Sequence, residues 1–228
     1  MPQTLSRNVE EYLEAIHRLR QTPAGVSTGR LARQLDVRPA SVTGMLRRLS
    51  HLGLVSYRRY RNISLTREGE RRASELIRRH RLAERLLTDM LGVPLDQAHA
   101  EACRLEHAVS AAVEGRIAHA LGGPEACPHG HPIDAEADDS ALSLAAAPPK
   151  RPLTIARLED ESPEVVRYLA QRGLLPGARV KVNLREPLGG AVMVEVAGKR
   201  HLLGAALAAT IRVRETAPMT SSASRKNK

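Results

Sequence analysis

Two histidines, a cysteine and a glutamate lie close together in the stretch HAEACRLEHAVS, residues 99–110. The stretch has a helical pattern, and at 100° per residue His99, Cys103, Glu106 and His107 project within about 100° of one another on one helix face. Imidazole, thiolate and carboxylate groups are a typical ligand set for late first-row divalent metals. The spacing therefore predicts metal binding, whereas the competing interpretation is a set of packed or surface side chains.

A second pair of potential ligands, His80 and Glu84, stands at i and i+4 in the preceding helical pattern. Antiparallel packing of the two helices would bring this pair near His99. The chain has no HExxH sequence, and the neighbouring segments indicate helix-packing surfaces rather than a substrate cleft, so we expect no enzyme. A structural zinc site closes a small fold, which a long helical hairpin does not require. The pattern favours a metal sensor.

The sequence pattern of the amino-terminal third is typical of a winged helix-turn-helix, a DNA-binding domain. Apolar residues recur at helical spacing over 9–19, and two short helices are predicted from Ser27 to about Asp36 and from Pro39 to Gly53. Residues 54–66 resemble a β-hairpin with arginines at its tip. In such units the second helix of the pair enters the major groove of DNA.

Side chains at the start of that helix can meet base edges, and the arginines nearby can meet phosphates. The competing interpretation is a solvated helix face and an ordinary loop. The predicted DNA-binding residues are Ser27, Thr28, Arg38, Pro39, Ala40, Ser41, Thr43, Gly44, Arg47, Arg48, Arg58, Arg59 and Arg61.

The hydrophobic pattern of the rest of the chain predicts two further domains. Long helices are predicted from Thr66 to about Leu91 and from Asp96 to about Leu121, and alternating apolar residues beyond residue 152 predict a small β-barrel. The expected fold is mainly α with small β parts. The predicted domains are a winged helix-turn-helix over 1–66, a helical metal-binding and dimerisation domain over 67–133, a linker over 134–151, an SH3-like domain over 152–215 and a disordered basic tail over 216–228.

Composition limits the partners. The 228 residues carry a formal net charge of +10, which favours a polyanionic partner, and the absence of Phe and Trp argues against base stacking as the main binding mode. Two cysteines are too few for a disulfide scaffold, and no apolar run is long enough for a signal peptide or membrane span. We expect a cytoplasmic protein with no membrane partner and no small organic substrate.

Several longer stretches resemble the diphtheria toxin repressor and manganese transport regulator family of metal-dependent winged-helix repressors. They are RHRLAERLLTDMLGV followed by HAEACRLEHAVS, then CPHGHPI, which is similar to a CPHGxPI loop of that family, and LAQRGLLPGARVKV with PLGG in the SH3-like domain. The resemblance covers about residues 5 to 214. It implies a homodimer that binds double-stranded operator DNA when Fe²⁺ or Mn²⁺ is replete and represses uptake genes.

The resemblance also implies two metal sites per subunit. The primary site would hold Cys103, Glu106 and His107 with a residue of the first helix, here Glu11. The hard carboxylate of Glu11 favours Mn²⁺, whereas the softer thiol of Cys103 is shared with the family members that respond to iron. Mn²⁺ is therefore the preferred ion and Fe²⁺ the alternative. The ancillary site would hold the histidines and glutamates His80, Glu84, His99, Glu161 and Glu164.

Three alternatives remain open at this stage. The chain could be a winged-helix regulator without a metal, a metalloenzyme that depends on Glu106, or a nucleoid-type protein that binds any duplex. In addition, Cys127, His129 and His131 of CPHGHPI could form a third metal site, although the resemblance favours a loop motif.

Overall fold

The structure, a computed structural model, describes residues 5–20, 22, 24–58, 63–134, 140–187 and 189–216. These residues form two compact units. Unit 1 comprises the described residues within 1–92, 100–125 and 132–136, and unit 2 those within 93–99, 126–131 and 137–228. In the described part of the chain, no helix is both long enough and apolar enough to cross a bilayer.

Unit 1 begins with the predicted winged helix-turn-helix. The side chain of Ser27 caps the second helix by accepting a hydrogen bond from the backbone of Arg30, and Pro39 opens the third helix with its fixed backbone angle. The two wing strands pair antiparallel with Val55 opposite Leu65. The elements are α1 Arg7–Arg20, α2 Thr28–Gln34, α3 Pro39–His51, β1 Val55–Tyr57 and β2 Ile63–Leu65.

The core under these elements follows the predicted apolar stripe of α1. Leu13 and Ile16 of α1 are fully buried together with Leu31, Leu46 and Leu49 of the helix pair. Each of these leucines or isoleucines stabilises the fold by roughly 1.5–3 kcal/mol through burial. Because the inner face of α3 is occupied in this way, its polar and basic side chains face outward.

The helices that follow the wing differ from the prediction in the second of the two long helices. Helix α4 spans Arg67–Arg85 and continues as a π-helical turn over Leu86–Met90, and α5 spans Leu95–Leu105. The predicted second long helix is not continuous to Leu121. It tightens into a 3₁₀ turn over Glu106–Ala108. Helix α6 then spans Ala111–Ala120, and it begins there because the hydroxyl of Ser110 accepts a hydrogen bond from the backbone of Val113.

Gly69 allows α4 to start directly against the wing. A Cβ atom at this position would lie 2.0 Å from the backbone oxygen of Leu54, just before β1. The hydroxyl of Thr66, which caps α4, also donates to the backbone oxygen of Gly53. The first turn of α4 is therefore fixed to the DNA-binding elements by backbone contact.

Unit 2 contains the predicted SH3-like barrel. Its six strands pair antiparallel in the order β3-β8-β4-β5-β6-β7, with bulges in β4 and β5 that bend the sheet. Alternate valines, leucines and isoleucines fill the interior. The elements are β3 Leu142–Ser143, β4 Pro152–Leu158, α7 Pro163–Ala170, β5 Arg179–Arg185, β6 Val192–Val196, β7 Lys199–Leu203, α8 Ala205–Thr210 and β8 Ile211–Glu215.

The structure corrects the predicted linker over 134–151. Residues 142–143 form strand β3 against β8, and Leu144 and Ala147 are fully buried in the barrel core. The Ala- and Pro-rich composition of 134–151 predicted a linker, but burial of Leu144 and Ala147 holds this segment against the barrel. Residues 135–139 of the predicted linker and 217–228 of the predicted tail lie outside the described residues.

The close approach at Gly69 gives a testable prediction. Gly69→Ala should lower the free energy of unfolding by about 1–3 kcal/mol or more, because the backbone atoms of Leu54 cannot yield to the added methyl group. Urea denaturation of the metal-free protein measures this change.

The matched control is Gly115→Ala in α6, where a Cβ would meet nothing within 4 Å. This variant should be neutral or more stable by up to about 1 kcal/mol, since alanine favours a helix over glycine. Equal stability changes in the two variants would contradict the proposed contact.

Candidate metal centre

A polar seam runs along α1 beside its apolar stripe. Glu10, Glu14 and His17 recur at i, i+4 and i+7, so all three project from the same side of the helix. This side packs against α4, where Glu70 contacts His17 at 3.3 Å and accepts a hydrogen bond from Arg20. Burial and the nearby Arg20 charge lower the pKa of His17 below its usual value. The first half of the seam faces a group of potential metal ligands.

His80 is the centre of that group. Its Nδ1 lies 2.6 Å from Oε2 of Glu106, and its Nε2 lies 3.2 Å from Oε1 of Glu84 one turn further along α4. The three side chains are almost entirely buried, with at most 2% of each residue exposed. A buried carboxylate needs a compensating positive charge, and an imidazolium held between two carboxylates supplies it.

The pKa values follow from this arrangement. Burial by itself lowers the pKa of His80, but its hydrogen bonds to Cys103, Glu106 and Glu84 outweigh burial and raise the pKa well above the usual value. Burial and the neighbouring Glu14 carboxylate raise the pKa of Glu106, while His80 opposes that shift. Both shifts favour keeping a proton in this group, where a cation would best offset the carboxylates.

The 3₁₀ turn brings the rest of the predicted primary set to the same region. His107 lies 2.7 Å from Glu10 through Nδ1 and 3.3 Å from Glu106 through Nε2. The Sγ of Cys103 lies 3.9 Å from Nδ1 of His80. Cys103 and Glu106 therefore each contact His80, which was assigned to the ancillary site, and His107 contacts Glu106. Metal binding by Cys103, Glu106 and His107 as one primary set stays a prediction.

The donor set fits a divalent metal. One ligand atom from each of Glu14, His80 and Glu106 lies within 4.8 Å of the others, a span over which three donors can bind one ion. Carboxylate and imidazole donors suit Mn²⁺ and Fe²⁺, and the thiol of Cys103 adds a softer donor at the edge of the group.

Glu11 does not join this group. Its carboxylate accepts a hydrogen bond from Arg7 at 2.8 Å, and its side chain is 38% exposed, so it behaves as a surface ion pair. The carboxylates that α1 brings to the site are Glu10 and Glu14. They could have been recognised from their i, i+4 spacing beside the buried stripe, because Glu11 projects about 100° away from Glu10.

The two glutamates predicted as ancillary ligands in unit 2, Glu161 and Glu164, have different surroundings. Oε2 of Glu161 lies 2.7 Å from Nδ1 of His99. Glu164 lies in the first turn of α7 with an exposed side chain. The grouping of these residues with His80 and Glu84 in one ancillary site stays a prediction, as does metal binding by Cys127 and His129, both of which are buried.

The predicted DNA-binding residues that the structure describes lie mainly on exposed surface. The exposed side of α3 carries Ser41, Gly44, Arg47 and Arg48, whereas Ser27 serves as the cap of α2. Thr43 donates a hydrogen bond to the backbone of Pro39, and Thr28 is half-buried. Arg38, Pro39, Ala40 and Arg58 are exposed, and Arg59 and Arg61 lie outside the described residues.

Comparison with known proteins agrees with this arrangement. Residues 4–63 match the N-terminal DNA-binding domain of iron-dependent repressors, 66–135 match their metal-binding and dimerisation domain, and 142–215 match the FeoA domain. The iron-dependent repressor IdeR of Mycobacterium tuberculosis (strain ATCC 25618 / H37Rv) is 32% identical over 209 residues, which cover 85% of this chain and 90% of the relative. The chain belongs to the iron-dependent repressor family.

Three further proteins are similar to the chain over different spans. The diphtheria toxin repressor of Corynebacterium diphtheriae (strain ATCC 700971 / NCTC 13129 / Biotype gravis) is 36% identical over 124 residues, or 54% of this chain and 55% of the relative. A manganese-dependent transcriptional repressor solved in complex with manganese has a TM-score of 0.85 at 33% identity, covering 91% of this chain and 100% of that one. ScaR with bound Zn²⁺ has a TM-score of 0.80 at 29% identity, covering 92% and 100%.

The contrast between neighbouring glutamates on α1 is testable. Glu14→Gln should weaken Mn²⁺ binding by about tenfold or more, because it removes a carboxylate from the buried donor group. Glu11→Gln should leave the affinity within about twofold, since it changes only a surface ion pair. Calorimetric titration of metal-free protein measures both, and a larger loss in Glu11→Gln would restore the sequence-based assignment.

The raised pKa of His80 gives a second prediction. Because His80 holds its proton to higher pH than an ordinary histidine, Mn²⁺ must compete with that proton, and the apparent affinity should rise about tenfold per pH unit from pH 6 towards the pKa of His80. Binding should release about one proton, which titration in buffers of different ionisation enthalpy detects. Binding that is independent of pH, without proton release, would contradict the proton's location.

Proposed function

We propose that the chain is a metal-dependent DNA-binding transcriptional regulator that represses metal uptake genes when Mn²⁺ or Fe²⁺ is replete. The observation that carries the proposal is the group of half-buried Glu14 with buried His80 and Glu106, in which the first helix of the DNA-binding domain meets α4 and the 3₁₀ turn. The names of its relatives, among them iron-dependent and manganese-dependent repressors, support the same function.

The protein's own side chains supply the coupling in this proposal. Glu10 and Glu14 belong to α1, whereas His80, Glu106 and His107 belong to the helical domain. A bound divalent cation supplies positive charge that lets carboxylates of both parts approach closely. Without it, α1 is held to this part of the helical domain by contacts such as that of Glu10 with His107, and we expect α1 to be held less firmly.

Manganese is the preferred ion in this proposal. Three carboxylates, those of Glu10, Glu14 and Glu106, surround two imidazoles, and oxygen-rich sets suit Mn²⁺. The carboxylates of Glu10 and Glu14 supply the oxygen donors that the sequence assigns to Glu11. Cys103 is the one soft donor of the group and keeps Fe²⁺ as the alternative.

The exposed side of α3 is the proposed DNA-reading surface. Ser41 and Gly44 lie near its start, where a recognition helix meets base edges, and Arg47 and Arg48 lie one turn further along, suited to phosphates. The family-wide dimerisation domain at 66–135 supports a homodimer. Two such surfaces related by a two-fold axis would bind a palindromic operator.

The experiment is operator binding by the purified metal-free protein, measured by fluorescence anisotropy with and without Mn²⁺. Metal should raise the affinity by about 5- to 150-fold, the range of typical allosteric coupling. Glu14→Gln should reduce this gain, and Glu11→Gln is the matched control that should keep it. Arg47→Ala with Arg48→Ala should weaken binding of every duplex and reduce the dependence on salt.

Two results would contradict the proposal. Operator binding that is unchanged by metal and by chelation would select a metal-independent winged-helix regulator. Equal affinity for operator and random duplex in the presence of metal would select a nucleoid-type protein instead.

A further inference from the structure

The loop that carries CPHGHPI is fixed to the barrel by its glycine. Gly130 has φ of +91°, and a Cβ atom there would lie 2.1 Å from the backbone oxygen of Ala156 on β4. The backbone N–H of Leu158 donates to the carbonyl of His129, and that of Cys127 donates to the carbonyl of His131. Only glycine permits this approach, so the loop's position on β4 is closely determined.

This docking places His131 beside Glu161. The Nε2 atom of His131 lies 2.9 Å from the backbone oxygen of Leu158 and 3.2 Å from Oε1 of Glu161. A carbonyl oxygen accepts hydrogen bonds and does not donate them, so Nε2 must carry the proton. The same N–H therefore faces both oxygens, and Nε2 is a donor rather than a metal ligand.

The two oxygens of Glu161 then have different surroundings. Oε1 faces the N–H of His131, whereas Oε2 lies 2.7 Å from Nδ1 of His99. The side chain is only 10% exposed, so few other rotamers are open to it. One oxygen is held by the loop and the other faces the histidine that the family resemblance assigns to the ancillary metal.

We propose that His131 is a positioning residue for metal binding, which orients Glu161 through Nε2–H so that its Oε2 is presented beside His99. The proposal rests on the function proposed above. Hydrogen bonds to ligating carboxylates fix their orientation, and losing such a partner weakens metal binding by about 10- to 100-fold. The proposal also selects Glu161 over the exposed Glu164 as the carboxylate that serves this site.

The test compares three variants of the full-length metal-free protein by calorimetric titration with Mn²⁺ and by thermal unfolding. His131→Ala should weaken one of the Mn²⁺-binding events by about 10- to 100-fold. His131→Gln should restore the affinity to within about threefold of wild type, because its amide N–H₂ can reach the same oxygens. His119→Ala changes an exposed histidine of α6 outside both predicted metal sites; it is the control and should bind as the wild type does.

Thermal unfolding without metal separates positioning from packing. The proposal expects His131→Ala and His131→Gln to unfold at similar temperatures while differing in Mn²⁺ affinity. Wild-type Mn²⁺ affinity in His131→Ala would overturn it, and so would equal losses of affinity in both variants accompanied by equal losses of stability. If the wild type itself fails to bind Mn²⁺, both the proposed function and this proposal are overturned. Failure of this proposal alone is different, because the wild type then binds Mn²⁺ and only the comparison of the variants disagrees with the expectation.

Discussion

Charge compensation for buried carboxylates is the constraint on which unit 1 depends. Glu84 and Glu106 are fully buried, and His80 lies between them as the positive partner. An uncompensated carboxylate in such surroundings costs several kcal/mol, so the fold requires a cation, either a proton on His80 or a metal. The same requirement makes the region responsive to metal and to pH, because the two cations compete for one set of donors.

Most of the fold could be predicted from periodicity and capping residues. The stripe from Val9 to Leu19 gave α1, and Ser27, Pro39 and Thr66 marked helix starts that the structure retains. The break after Glu106 was missed because Val109 and Ser110 are compatible with helix interior, and only the local geometry makes Ser110 a cap. Strand β3 was missed because its few apolar residues lie in a segment whose Ala, Pro and acidic residues are typical of linkers.

The spacing of the donors could be predicted from the sequence, but not which of them share one group. Cys103, Glu106 and His107 lie within about one helical turn, yet of these three only Glu106 belongs to the described group with Glu14 and His80. The choice among Glu10, Glu11 and Glu14 depends on which side of α1 faces α4, and a shift of one residue rotates a side chain by about 100°. The family resemblance implies Glu11, whereas the structure places Glu10 beside His107 and Glu14 near His80 and Glu106.

The seam on α1 also orders its charges along the helix axis. Glu10 and Glu14 lie beside His107 and His80, whereas His17 and Arg20 contact the carboxylate of Glu70. Sliding α1 by one turn, about 5.4 Å, would place glutamate against Glu70 in one direction and His17 against His80 in the other. Apolar ridges repeat at every turn and discriminate such slides weakly. The order of polar partners along the seam therefore favours one axial register of α1.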